Sequence, residues 1–67
     1  MRLTGYMAYY RLLFLDRENG VVDACDLHSR NDMEAIRIAE GKRGLSAMEL
    51  WDEGRKIKRW DCFPPTE

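Results

Sequence analysis

Cys25-x-x-His28 is the nearest this sequence comes to a metal-binding pair. With Asp61 and Cys62 it would offer thiolate, imidazole and carboxylate ligands. Structural zinc sites are built from two short Cys or His pairs, and only one such pair is present. Cys25 also falls inside a run that reads as a strand, where a single cysteine usually serves as a small buried hydrophobe. No metal and no cofactor are therefore expected. His28 is the only histidine. As a general base it would need a nucleophile within hydrogen-bond reach. Ser29 is its neighbour, but adjacent strand residues point to opposite faces. Gly41-Lys42-Arg43-Gly44 has the lysine and glycines of a phosphate loop but not its length or its Ser or Thr. No acid–base pair, activated nucleophile or ligand set can be assembled, so the sequence reads as a non-enzyme.

Two features point to binding. Arg55-Lys56-x-Lys58-Arg59-Trp60 places cations beside an aromatic ring, the combination a nucleic-acid surface uses for phosphate contact and base stacking. The competing explanation is that a sheet-edge strand carries Lys and Arg to discourage further pairing. Glu49, Asp52, Glu53 and Asp61 lie close enough in sequence to dilute the positive field. Trp51 and Trp60 could line a pocket, although in a small domain large aromatics more often form the core or a partner interface.

Charge and composition narrow the class. Eleven Lys and Arg stand against twelve Asp and Glu in 67 residues. Nucleic-acid modules are usually clearly basic. Disordered chains have fewer apolar residues than the 45% found here. Two cysteines are too few for a disulfide framework and suggest a reducing compartment, the cytoplasm. The apolar run Leu12–Leu15 is far short of the roughly 20 residues that span a bilayer. Arg11 interrupts any signal-peptide reading of the first fifteen residues.

The elements that would position these residues follow from patterning. Residues 1–7 show no clear periodicity and read as an N-terminal extension, with Met7 an alternative start; Leu3–Tyr6 prolonging the first strand is the other reading. The single domain spans residues 8–63. Ala8–Asp16 reads as a strand apolar on both faces, Tyr9-Arg11-Leu13-Leu15 and Tyr10-Leu12-Phe14, which suits an interior position. Arg17-Glu18-Asn19-Gly20 turns the chain into a second strand, Val21–His28. A four-residue loop sets Leu15 opposite Val22, Leu13 opposite Ala24 and Arg11 opposite Asp26.

Asn31 caps a helix, with Glu34 completing a capping-box pattern. Met33, Ala35, Ile36, Ile38 and Ala39 form a broad apolar arc. Lys42 and Arg43 fall in the last turn before Gly44, unless Gly41 ends the helix earlier. Leu45–Trp51 and Arg55–Phe63 form a second hairpin around Asp52-Glu53-Gly54. A Glu53-Gly54 loop pairs Leu50 with Ile57 and Glu49 with Lys58. Pro64-Pro65 ends the last strand, and residues 64–67 form a tail. The fold class is α+β: β-β-α-β-β, a four-stranded antiparallel sheet of order 2-1-3-4 with one helix on one face.

Tyr10-Arg11-Leu12-Leu13-Phe14-Leu15-Asp16, the turn residue Gly20, Glu34-Ala35-Ile36 with Ala39, and Glu49-Leu50-Trp51 together resemble a set of short uncharacterised bacterial proteins. These begin with a Y-R-L-x-F-L-D strand and carry E-L-W near the C-terminus. The resemblance covers most of residues 9–59 and implies a bacterial source. It carries no catalytic or binding residue. The longer N-terminus and the Cys62-Phe63-Pro64-Pro65 ending depart from the pattern.

One helix covers only one face of such a sheet, so a second apolar face is left over. Exposed apolar patches usually mark an interface. The expected function is a small non-enzymatic interaction or regulatory module that self-associates as a homodimer. Its interface is Tyr9, Arg11, Leu13 and Leu15 if the helix takes Tyr10, Leu12 and Phe14, and the reverse otherwise. The alternative partners are a different protein on the same face, or nucleic acid on Arg55, Lys56, Lys58, Arg59 and Trp60.

Overall fold

The computed structural model describes residues 8–63. The expected extension over residues 1–7 and tail over residues 64–67 lie outside the described residues. The chain runs β1 (Ala8–Leu15), β2 (Val21–Ser29), α1 (Asp32–Gly41), β3 (Ala47–Asp52) and β4 (Arg55–Trp60). The four strands form one antiparallel sheet of order β2-β1-β3-β4. β1 and β3 are interior, as the two-sided apolar character of β1 requires.

The first hairpin closes on Asp16. Its backbone N–H donates to the Gly20 carbonyl at 2.9 Å, and its Oδ1 accepts the N–H groups of Glu18 and Gly20 at 2.9 and 2.8 Å. Asn19, not Gly20, takes the left-handed conformation, at φ 66°. Asn tolerates this region better than most side chains. Arg11 lies opposite Asp26 and Leu13 opposite Ala24, as the four-residue loop predicts. Leu15 instead lies opposite Val21, because a bulge leaves Val22 as an extra residue in β2.

The helix is set at its N-terminus by Asn31, whose Oδ1 accepts the Glu34 N–H at 2.8 Å. Glu34 Oε1 reaches back to accept the Arg30 N–H and the hydroxyl of fully buried Ser29, both at 2.9 Å. At the other end the helix stops at Gly41, short of Gly44. Lys42 is the C-cap, and its N–H donates to the Ala39 carbonyl at 3.0 Å.

The core joins Tyr10, Leu12, Leu27, Met48, Leu50 and Trp60 of the sheet to Ala35 and Ala39 of the helix. This settles which face the helix takes. Two alanines let the helix lie close to the sheet, so the inward arc is narrower than the pattern predicts. Ile36 packs at its edge, while Met33 is 75% exposed and Ile38 is also outside.

The second hairpin departs from its expected register. Trp51 lies opposite Lys56, but Leu50 faces Lys58 and Glu49 faces Arg59. A bulge accommodates Ile57, which half-buries against the core. β4 ends at Trp60 and not at Phe63; the Phe63 N–H bonds instead to the Leu45 carbonyl at 2.9 Å, ahead of β3.

Candidate functional site: the uncovered face of the sheet

Cross-strand partners share a face, so the register places each side chain. Tyr9, Arg11 and Leu13 of β1 stand on the face away from the helix, beside His28, Asp26 and Ala24 of β2. Arg11 and Leu13 also stand beside Trp51 and Glu49 of β3, followed by Lys56 and Arg59 of β4. Tyr9, Arg11, Leu13, Trp51 and Glu53 line an open depression of about 380 Å³.

The depression mixes apolar surface with fixed charge. Tyr9 is 45% exposed and its ring lies 5.3 Å from that of His28, inclined at 60°. Arg11 donates from Nη2 to the Tyr9 hydroxyl at 3.5 Å and from Nε to Asp26 Oδ1 at 3.4 Å. The hydroxyl first, then Asp26, hold the guanidinium proton more firmly than usual. Trp51 Nε1 donates to Glu49 Oε1 at 3.0 Å, and Lys56 Nζ sits 5.8 Å from the Trp51 ring. Glu49 Oε2 also meets Arg59 Nη1 at 2.6 Å and Lys56 Nζ at 3.8 Å. The Trp51 indole and then the two cations hold the Glu49 carboxyl below the usual carboxylate range, against burial, which pushes it up.

Of the expected interface residues, Tyr9, Arg11 and Leu13 come together here. Leu15 does not join them as an exposed contact. It is only 4% exposed and lines a separate depression with Arg17, Leu45, Cys62 and Phe63. Trp51 completes the set. Its place was open in the sequence because the register of β3 against β1 depends on a tertiary pairing with no connecting turn.

The basic stretch of β4 is divided. Lys56 and Arg59 lie on the uncovered face, while Arg55, Lys58 and Trp60 lie on the helix side. Arg55 bonds Asp32 and Asp52, Lys58 meets Glu40 at 3.5 Å, and Arg59 also meets Asp61. Trp60 is 6% exposed, with Nε1 donating to Glu40 at 3.4 Å and Lys58 Nζ 5.3 Å from its ring. These five residues do not form one positive surface, and the ring nearest the cations is core.

The strand pleat also separates Cys25 from His28. Cys25 packs toward the core, whereas His28 stands on the uncovered face. Among the described residues, no cluster of three or more His, Cys, Asp or Glu side chains is able to hold a metal. Among the described residues, no helix is long and apolar enough to cross a membrane. No protein-family model, curated protein or solved structure matches the chain.

Proposed function

We propose that this chain is a small non-enzymatic protein-interaction module that self-associates through the uncovered face of its sheet. The observation that carries this reading is the cluster of Tyr9, Leu13 and Trp51 around Arg11 on the two interior strands. The opposite face of the same strands has its helix. Aromatic and arginine side chains at the centre of a surface are what protein interfaces are enriched in. A domain of this size also gains stability from a partner chain when it has no other staple. Its paucity of cysteine suits a reducing compartment such as the cytoplasm.

The alternative, nucleic-acid binding through β4, has less support. Its cations are shared between two faces and each already meets a carboxylate.

Light scattering at ~50 µM, well above a nanomolar dissociation constant, tests the proposal. Twice the chain mass is expected, and Leu13→Glu, which buries a charge on the uncovered face, should return the monomer with unchanged circular dichroism. A wild-type monomer at that concentration would refute self-association. Steep salt-dependent retention on heparin or DNA would favour the alternative instead.

A further inference from the structure

The row of residues that crosses the uncovered face at Arg11 reads Asp26, Arg11, Trp51, Lys56 from β2 to β4. Each member is a direct cross-strand partner of the next. In terms of chemistry the row is acid, cation, ring, cation. We infer that this row is its own complement, and that two copies meet face to face about a two-fold axis running along the strands between β1 and β3. The inference rests on the self-association proposed above and names its geometry.

Such an axis preserves the row and reverses the order of strands. β1 of one copy lies over β3 of the other, and β2 over β4. Arg11 then faces Trp51 of the partner subunit, and Asp26 faces Lys56 of the partner subunit. Symmetry repeats both contacts, as in any isologous interface. The first is a cation over an aromatic face, which gains strength on desolvation. The second is an ion pair at the rim. Packing two sheets with strands aligned within about 30° keeps the central row in register near the axis.

The side chains are suited to this arrangement. Arg11 spends Nε and Nη2 on Asp26 and Tyr9, leaving Nη1 without a partner among the described residues. The Arg11 and Asp26 side chains are 55% and 47% exposed, so both can reach outward. Trp51 is oriented by Glu49, whose carboxylate also offsets the cations gathered around the ring.

The other in-plane two-fold axis, perpendicular to the strands, preserves the columns instead. Centred on this row, it would set Arg11 against the partner's Arg11 and Asp26 against the partner's Asp26. Like charges facing each other disfavour association. A heterologous protein would have to bring the same sequence of charges on its own surface, whereas a second copy has it already.

Charge reversal tests the geometry. Asp26→Lys and Lys56→Glu, made in separate chains, should each weaken the homodimer roughly tenfold or more. Mixing the two chains should restore association as a heterodimer, because both rim contacts again join unlike charges. Light scattering and sedimentation on the single and mixed proteins read this out, with circular dichroism confirming that each variant folds. If wild type is dimeric and the single variants dimerise as tightly as it does, the axis is overturned while self-association stands. Weakened variants that fail to recover on mixing also overturn the axis. A wild-type monomer overturns both.

Discussion

The hydroxyl of Tyr10 donates to Asp32 Oδ1 at 2.8 Å, tying the central strand to the first turn of the helix. Arg55 of β4 donates to the same carboxylate from Nη1 at 3.2 Å and from Nη2 at 3.4 Å. Three elements thus meet at one side chain. Tyr10→Phe keeps the buried ring and removes the donor, while Asp32 retains Arg55. A loss of about 1 kcal/mol is expected in urea unfolding, the ordinary value of one such bond. An unchanged midpoint would mean that the bond contributes nothing net.

The same phenol makes stability depend on alkaline pH. Burial first, then Asp32, pushes the Tyr10 pKa up from 10.0 to about 12. The fold therefore favours the neutral phenol. Its contribution is complete below pH 10 and is lost as pH rises from 10 toward 12. Wild type should lose stability relative to Tyr10→Phe across that window. Parallel curves would contradict the assignment.

Acid acts through carboxylates with the opposite sign. Arg55 and Tyr10 lower the Asp32 pKa, and the Arg30 N–H and Ser29 hydroxyl lower that of Glu34. Each carboxylate stabilises the fold fully above its ordinary pKa and ceases to do so as pH falls through its lowered folded value. Glu34→Gln should flatten the acid limb of the stability profile. Retention of the wild-type slope below pH 4.5, the ordinary value for Glu, would remove Glu34 from that account.

The first apolar residue of the helix and its polar cap should respond differently from what the sequence pattern suggests. Met33→Lys is expected to change stability by no more than about 0.5 kcal/mol, since the side chain stands in solvent. Asn31→Ala should cost about 1 kcal/mol through loss of the cap. Thermal unfolding of both variants decides the order, and a larger loss at Met33 would reverse the helix face described above.

Glu53 occupies the left-handed region at φ 56° in the second turn. An L-residue with a long side chain is strained there, and glycine is not. Glu53→Gly should raise stability by up to about 1 kcal/mol. A decrease would show that the side chain contributes more than its backbone strain costs.

The residues of the chain carried the local elements by themselves. Two apolar faces on Tyr9–Leu15 require an interior strand, Asn31 with Glu34 sets the helix start, and Asn19-Gly20 marks the first turn. Two antiparallel hairpins around one helix then leave the order β2-β1-β3-β4 as the arrangement that buries β1. What lay beyond the sequence was decided by packing. The small side chains of Ala35 and Ala39 allowed a close approach that left Met33 and Ile38 outside, a choice periodicity cannot make among apolar residues. A bulge at Val22 moved only the Leu15 pair of the first hairpin, while one at Ile57 displaced the register of the second, because an extra residue in a ladder is fixed by what each flanking side chain buries. The pairing of Arg11 with Trp51 joins strands 40 positions apart in the chain, with no turn to set their register. Only the shared core of β1, β3 and the helix brings those two residues side by side, and with them the surface on which the proposed function rests.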